Sequence, residues 1–297
     1  MNGVLIIDKP TGATSHDVVN RLRRILHERS VGHLGTLDPM ATGVLPLVVG
    51  NFTRLAQFYV EAEKKYEGTI RFGFATDTYD AEGDPTSPPK QITLDRAEIE
   101  SVAVNFRGVI EQTPPPFSAK KIHGVPAYKL ARKHKEVTLH PVQVEIKEFE
   151  IVSSEADRAH FRARVASGTY MRSVAHDMGL RLGCGAHLEQ LRRTAVAEFE
   201  VHDALTLEQL AAAVSSGRDV FVHPRRLLPQ LPCVTADDAN AARIRSGRPV
   251  NFLELSGARQ VKVFYGQSEL IAIATRVAGT LFHAKLVLSA ERTSVAR

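Results

Sequence analysis

The sequence is short of cysteine and of long apolar runs, and these two shortages limit the kinds of protein it can encode. Cys184 and Cys233 are its two cysteines and form no CxxC pair, which disfavours both a cysteine zinc site and a disulfide framework. The apolar run at residues 4–7 is too short for a signal peptide or a membrane span, and no other run reaches the roughly 18 residues that a span needs. We therefore expect a cytoplasmic protein that does not enter a membrane.

The charge balance permits a polyanionic partner without requiring one. Lys and Arg together number 38 against 33 Asp and Glu, which leaves a net charge of +5 over 297 residues. With 43% hydrophobic and 24% charged residues, the composition is that of an ordinary globular protein. The length allows one large domain and one small domain.

Positive charge is concentrated between residues 118 and 140, where Glu136 is the one acidic residue. The segment lies between the prolines at 114–116 and Pro141, as expected of an excursion from a packed core. A solvated loop is one interpretation, but the density of charge favours an arm, residues 114–141, that neutralises phosphates. Its basic residues are Lys120, Lys121, Lys129, Arg132, Lys133 and Lys135.

Apolar periodicity predicts an α+β fold. Residues 66–74 and 160–165 alternate between apolar and polar side chains, as half-buried strands do. The apolar residues after Tyr170 recur at helical spacing. Ser15 is a candidate N-cap for the helix that follows it, and Thr206 with Gln209 forms a capping box before another helix.

A second, smaller unit is predicted after residue 230. The stretch 224–232 contains prolines and arginines and interrupts the pattern, so we expect a linker there. A helix is expected from near Thr235 to Gly247, followed by strand-like runs at 261–265, 270–274 and 281–288. The predicted domains are therefore residues 1–230 and 233–297.

One short segment, residues 32–43, has the composition of a functional loop. Three glycines and Pro39 rule out a regular helix and permit a tight backbone. Asp38 precedes this proline, which biases the aspartate toward an extended or turn conformation. From these properties alone, Asp38 is either a carboxylate that a rigid loop presents or an aspartate that caps a helix or a turn.

The string GHLGTLDPMATGVL, residues 32–45, contains this segment and resembles the catalytic loop of the TruB family, the tRNA pseudouridine synthases. Further blocks resemble the family in order and type, and together they extend from residue 2 to residue 194. They are residues 2–10, 65–66, 76–80, 167–172, 183–188 and 191–194. Two departures from the family pattern are present, because Leu34 replaces the usual Thr and Lys133-His134-Lys135 replaces the usual Gly of the arm.

The resemblance implies a pseudouridine synthase fold, built on a mixed, mainly antiparallel sheet flanked by helices, with a small C-terminal PUA-like β domain that binds RNA. It also implies the isomerisation of uridine 55 in the T-loop of tRNA to pseudouridine, after the base has been flipped out of the folded RNA. In that reaction the C1′–N1 glycosidic bond breaks and the uracil is rejoined through C5.

Roles for individual residues follow from the resemblance alone. Asp38 is the implied catalytic carboxylate, and Arg172 is the implied partner that holds it charged and aimed. Whether Asp38 attacks C1′ or C6 is left open, as is the choice between Tyr66 and a water as the base that removes the C5 proton. The implied substrate contacts are His33, Tyr66, Tyr170, Arg172, Leu191 and Lys9, and the implied RNA backbone contacts are Lys120, Lys121, Arg132 and Lys133.

No metal or organic cofactor is implied, since the isomerisation has no redox step. The implied partner is the T-arm and elbow of tRNA, bound by a monomer that requires no protein partner. The alternatives are a guide-RNA-dependent synthase of the dyskerin type, a non-catalytic tRNA chaperone and a glycosidase-like hydrolase. The hydrolase would need two flanking carboxylates, and the loop of Asp38 contains no second one.

Overall fold

The structure is a computed structural model that describes residues 1–118, 120–122, 124–131, 133 and 137–288. Its α-helices are α1 (Ser15–Leu26), α2 (Arg96–Ala103), α3 (Ala127–Ala131), α4 (Met171–Arg181), α5 (Leu207–Ser215) and α6 (Asp238–Arg245). Short 3₁₀ segments occupy Gly50–Phe58, Val104–Phe106, Val201–Asp203, Pro224–Arg226 and Leu253–Leu255. Of the helices in the described ranges, none has the length and apolar character needed to cross a bilayer.

The strands form two large sheets and one short hairpin. They are β1 (Gly3–Lys9), β2 (Val31–His33), β3 (Thr42–Val49), β4 (Lys64–Phe72), β5 (Gly108–Gln112), β6 (Lys121–Ile122), β7 (Val125–Pro126), β8 (Val142–Glu155), β9 (Arg158–Val165), β10 (Ala186–Val196), β11 (Phe199–Glu200), β12 (Cys233–Ala236), β13 (Val250–Asn251), β14 (Gln260–Tyr265), β15 (Glu269–Ala278) and β16 (Leu281–Val287). The hairpin pairs β6 with β7.

The larger sheet has the strand order β1-β3-β10-β4-β9-β8-β5, with β2 added to β3 and β11 added to β10. Strand β10 pairs with β3 in parallel, whereas the other neighbours pair antiparallel. The parallel contact brings Arg192 and Arg193 of β10 beside Thr42 and Gly43 of β3. The mixed, mainly antiparallel sheet with flanking helices is therefore confirmed.

Two predicted strands lie close to their expected positions. Strand β9 turns Phe161, Ala163 and Val165 into the core, as their alternation predicts. Strand β4, expected at residues 66–74, instead covers Lys64–Phe72. It ends there because Gly73 has a left-handed backbone, with φ +105°, which an extended strand does not accommodate.

Helix α1 begins where the sequence predicts, but its cap is Thr14 and not Ser15. Thr14 Oγ1 accepts a hydrogen bond from Asp17 N–H, and the Asp17 carboxylate accepts one from Thr14 N–H, which completes a capping box. Ser15 is the first residue of the helix, and its hydroxyl is buried and turned toward Leu37. The capping box of Thr206 and Gln209 at α5 is present as predicted.

The smaller sheet follows the order β12-β14-β15-β16-β13. Helix α6 begins at Asp238, with Asp237 as its N-cap, and therefore starts later than the predicted position near Thr235. The reason is that Thr235 belongs to β12, which pairs in parallel with β14. The predicted strands near 261–265, 270–274 and 281–288 correspond to β14, β15 and β16.

The predicted linker at 224–232 is packed and not free. Leu227 and Leu228 are buried in an apolar cluster that also contains Val4 of β1 and Phe264 of β14. Buried Lys262 donates hydrogen bonds to the carbonyl oxygens of Arg225 (3.0 Å) and Leu227 (2.6 Å). The segment thus fastens the smaller sheet to the larger one.

Candidate active site

Asp38 lies on the loop between β2 and β3, and two glycines define the path of that loop. Gly35 has φ +117° and Gly43 has φ +100°, values that residues with a Cβ rarely adopt. A Cβ on Gly43 would lie 2.2 Å from the carbonyl oxygen of Arg193. The close approach of β3 to β10, which fixes one end of the loop, therefore requires glycine at position 43.

Two side chains from outside the loop hold its backbone in place. Ser15 Oγ accepts a hydrogen bond from Leu37 N–H at 2.8 Å and donates one to the Leu37 carbonyl oxygen at 3.1 Å. Arg193, which is 1% exposed, donates to the carbonyl oxygens of Gly35 at 3.0 Å and Thr36 at 3.2 Å. Leu37, the residue before Asp38, is thus held through both its N–H and its carbonyl group.

Lys9 supports the other side of the same loop. Its side chain is fully buried, and Nζ donates hydrogen bonds to the carbonyl oxygens of Pro10 (2.8 Å), Ala13 (2.7 Å) and Pro39 (3.1 Å). Burial lowers the pKa of Lys9 to about 8, although the negative charge of Asp38 opposes this. The structure therefore places Lys9 beneath the loop, where it contacts backbone oxygens.

Arg172 forms a two-point ion pair with Asp38, as the sequence predicts. Arg172 Nε lies 2.9 Å from Asp38 Oδ2, and Arg172 Nη2 donates to Asp38 Oδ1 at 3.0 Å. The arginine side chain is 6% exposed, whereas that of Asp38 is 35% exposed. Arg172 also donates to the carbonyl oxygens of Thr78 (3.3 Å) and Phe117 (2.9 Å). A buried, fixed guanidinium therefore aims a carboxylate that solvent or a substrate can reach.

Asp80 is a site residue that the sequence analysis did not single out. Its side chain is 5% exposed, and Oδ2 lies 3.6 Å from Arg172 Nη1. Its Oδ1 accepts hydrogen bonds from Thr78 Oγ1 (2.6 Å) and Glu82 N–H (3.1 Å). Asp80 belongs to block 76–80, whose resemblance to the family was the one sequence signal that pointed to it. Only the fold shows that Asp80 lies beside Arg172.

The environment of Asp38 shifts its ionisation. Although a third of the side chain is exposed, atoms crowd around the carboxylate, and this burial raises the pKa of Asp38 above its usual value. The charge of Arg172 lowers that pKa in part, and the nearby carboxylate of Asp80 raises it further. Asp38 is therefore more basic than a solvated aspartate.

An apolar surface lies beside the loop. Tyr66 and Leu191 are 9% and 8% exposed, and they belong to the same apolar cluster as Leu37, the neighbour of Asp38. In the register of β4 and β10, Tyr66 is opposite Arg193 and Gly68 is opposite Leu191. Tyr66 and Leu191 thus share one face of the sheet, the face that carries Arg193.

Tyr170 is placed by the start of α4. It is the N-cap residue of that helix, and its N–H donates to Gln112 Oε1 at 2.8 Å. Burial raises the pKa of its half-buried phenol, while the charge of Arg172 opposes the shift. Two residues on, Arg172 lies in the first turn of α4, so one helix start supplies both side chains.

Comparison with known proteins identifies the family. The TruB family pseudouridylate synthase N-terminal domain matches residues 23–171, and the tRNA pseudouridylate synthase B C-terminal domain matches residues 172–228. A tRNA pseudouridine synthase B of Solibacter usitatus (strain Ellin6076) is 48% identical over 293 residues, which cover 97% of this chain and 100% of that protein. The chain belongs to the TruB family. The tRNA pseudouridine synthase B of Burkholderia mallei (strain NCTC 10247) is 38% identical over 296 residues, which are 97% of this chain and 98% of that one.

Solved structures share the fold of this TruB-family chain. An H/ACA RNP bound to a substrate RNA containing 2′-deoxyuridine matches with a TM-score of 0.71 at 24% identity, over 97% of this chain and 85% of the other. A Cbf5-Nop10-Gar1 complex matches with a TM-score of 0.68 at 26% identity, over 94% of this chain and 79% of the other. The predicted membership of the TruB family and the pseudouridine synthase fold are therefore confirmed. The PUA-like character of the smaller sheet stays a prediction.

His33 of this TruB-family chain lies at the end of β2, opposite Leu47 of β3. Burial lowers its pKa, and the charge of Arg193 lowers it further. Its Nδ1 is buried and has no hydrogen-bond partner among the described residues. The structure thus places His33 close enough to Arg193 for the charge of Arg193 to affect it.

The basic arm is described in part. Lys120 and Lys133 are exposed, as expected for residues that meet a polyanion or solvent. The side chain of Lys121 and the whole of Arg132 lie outside the described residues. In the part of the chain that the structure describes, no three His, Cys, Asp or Glu side chains form a group able to hold a metal ion.

Proposed function

We propose that this protein isomerises uridine 55 in the T-loop of tRNA to pseudouridine, with Asp38 as the catalytic residue. The observation that carries the proposal is the pairing of partly exposed Asp38 with buried Arg172, on a loop that Ser15 and Arg193 hold. Relatives that are 38% to 48% identical over nearly the whole chain are named tRNA pseudouridine synthase B. Their name supports tRNA as the substrate.

The net reaction needs no second reagent. The C1′–N1 bond breaks, a C1′–C5 bond forms, C5 loses a proton and N1 gains one. Asp38 acts as the nucleophile in its ionised form, either at C1′ of the ribose or at C6 of the uracil. Both routes use the same carboxylate, and Arg172 restricts its direction in each. Tyr66 or a water takes the proton from C5.

Access to the uridine requires base flipping, which costs a few kcal/mol of unstacking. The exposed edges of the largely buried Tyr66 and Leu191 suit an extruded uracil, since stacking on an aromatic side chain returns about 1–3 kcal/mol per base. Tyr170 forms a further wall beside Arg172, and His33 contacts the RNA from which the base has left. Lys9 acts from beneath by supporting the loop.

The remaining proposals concern how the whole tRNA is held. The arm at 114–141 contacts the RNA backbone through Lys120, Lys121, Arg132 and Lys133. Residues 1–230 form the catalytic domain, and residues 233–297 form a PUA-like domain that also binds RNA. The protein acts as a monomer on the T-arm and elbow of tRNA without a guide RNA or a protein partner.

The direct test is to incubate the purified protein with an unmodified tRNA transcript and to map pseudouridine by mass spectrometry. We expect product at position 55 with the protein alone, and none in a matched transcript in which uridine 55 is replaced by cytidine. Product that forms only after a guide RNA or further proteins are added would contradict the proposal and favour the guide-dependent alternative.

A further inference from the structure

Gly35 lies among positively charged side chains. A Cβ placed on Gly35 would lie 3.6 Å from Arg193 Nη1 and 3.9 Å from Lys64 Cε, so both cationic side chains reach this point of the loop. His33, two residues earlier, feels the charge of Arg193 and has a buried Nδ1 that lacks a hydrogen-bond partner within the described residues. Two cationic side chains, Arg193 and Lys64, therefore converge on position 35.

The two cations at this point have no carboxylate partner. Arg193 donates to the carbonyl oxygens of Val44, Thr36 and Gly35, and Lys64 Nζ donates to the Ala62 carbonyl oxygen at 2.6 Å. The ion pairs found in the described ranges involve neither residue. Their positive charge is thus not neutralised within the described part of the molecule.

This arrangement is unfavourable for the protein alone. Burial and the charge of Arg193 together lower the pKa of Lys64 to about 8. An anion that binds beside them stabilises a half-buried lysine and a neighbouring arginine, because it offsets both the desolvation of the lysine and the repulsion between the two cations. The ammonium group has three donors, of which one is used by Ala62, so two are free to meet that anion.

The position of Lys64 indicates which anion this is. Lys64 precedes Tyr66 by two residues on β4, so both side chains lie on one face, about 6.6 Å apart along the strand. Tyr66 is the proposed stacking surface for the extruded uracil. A nucleotide whose base stacks on Tyr66 has its phosphate groups a short distance from that ring. Lys64 and Gly35 lie in this region.

We infer that Lys64, with Arg193 behind it, binds a backbone phosphodiester next to the flipped uridine. This inference rests on the proposed function, because it assumes that the ligand is RNA. The site takes a single phosphate group, which contacts the free donors of Lys64 over the open side of Gly35. Lys64 thereby fixes the ribose of the target nucleotide relative to Asp38.

Lys64→Gln removes the charge and keeps most of the side-chain length. We expect it to weaken binding of an unmodified T-arm stem-loop about 10- to 100-fold, as loss of a charge-assisted hydrogen bond does. It should also lower the slope of log affinity against log salt by roughly 0.7–0.9, the value of one phosphate contact. The matched control is Lys65→Gln, because Lys65 is the next residue, is exposed and points to the opposite face. It should leave both quantities near wild type, and Lys64→Arg should restore the slope.

A methylphosphonate linkage, which is uncharged, identifies the phosphate itself. Placed on one side of the target uridine, it should weaken binding to the wild-type protein but cause no further loss with Lys64→Gln. An unchanged salt slope in Lys64→Gln, or an equal methylphosphonate penalty in both proteins, would overturn the inference. If the wild-type protein forms no pseudouridine, the proposed function itself fails, and that result is separate from either of these.

Discussion

Arg172 lies between two carboxylates, and this shared contact contributes, after burial, to the pKa of Asp38. Asp38 receives two contacts of 2.9 and 3.0 Å, and Asp80 lies farther away at 3.6 Å. One positive charge therefore serves two negative ones. The resulting excess of negative charge adds to burial in raising the pKa of Asp38, and it links the activity of Asp38 to a residue that does not contact it directly.

Asp80→Asn should move the acid limb of the pH–rate profile to lower pH. In the proposed reaction Asp38 acts as a carboxylate, so we expect activity to fall as the pH drops through its pKa. Removal of the Asp80 charge lowers that pKa, which extends activity to more acidic pH. The measurement is kcat/KM for pseudouridine formation from pH 4 to 8, with Asp80→Glu as the charge-keeping control. A limb that stays in place in Asp80→Asn, or moves to higher pH, would contradict this explanation.

At the scale of elements, the loop that carries Asp38 is held by residues from β1, α1 and β10. Lys9, Ser15 and Arg193 all bond its backbone carbonyl oxygens, and Ser15 also accepts from a backbone N–H. These contacts are made to main-chain atoms of the loop and therefore help to fix its backbone path.

Ser15→Ala should therefore damage both stability and catalysis. It leaves the buried N–H and carbonyl groups of Leu37 without their partner, which costs about 1–3 kcal/mol in the free energy of unfolding. We also expect kcat to fall about 10- to 100-fold, because a small displacement of Asp38 spoils its alignment. Urea denaturation and single-turnover kinetics measure the two effects.

The control for Ser15→Ala is Ser101→Ala, in which an exposed hydroxyl that bonds the Glu98 carbonyl oxygen is removed. This variant should lie within about 0.5 kcal/mol of wild type and retain full activity. If Ser15→Ala behaved in the same way, the hydroxyl would have no part in holding the loop.

Helix caps were predictable from the sequence where the capping residues are neighbours in the chain, and less so where two adjacent residues could both act as the cap. Thr206 and Gln209 form their capping box within one turn, so the sequence pattern suffices. Thr14 and Ser15 are both able to cap α1, and the spacing of Thr14 and Asp17 favours Thr14. The contact of Ser15 with Leu37 was not predictable, because the sequence does not place Leu37 nearby. Asp80 was missed for the same reason, since it reaches Arg172 only through the fold. Asp38 and Arg172 were found because motif similarity substitutes for that missing spatial information.

At the scale of the whole molecule, the two sheets share an apolar cluster. Leu227 and Leu228 lie in it with Phe52 near β3 and Phe264 of β14. The prolines and arginines around these two leucines interrupt the apolar pattern, which is why the sequence predicts a linker there. The smaller sheet is thus attached by packing as well as by covalent connection.

Phe264→Ala should destabilise the protein as a unit. The ring is fully buried in the shared cluster, and loss of a buried phenylalanine costs about 3–5 kcal/mol. We expect the midpoint of the whole urea transition to fall, as followed by circular dichroism. Leu253→Ala, at a leucine that is 76% exposed, is the control and should have little effect. A transition that splits into two phases, with only one of them shifted, would show that the sheets unfold independently.

The central claim is that the Asp38 carboxylate performs the chemistry and does not hold the RNA. Asp38→Asn keeps the shape of the side chain and removes its charge. We predict that it reduces pseudouridine formation in unmodified tRNA at least about 10⁴-fold while tRNA affinity stays close to wild type. Asp84→Asn, the same change at an exposed aspartate nearby, should retain full activity. Wild-type yields of pseudouridine from Asp38→Asn would contradict the claim.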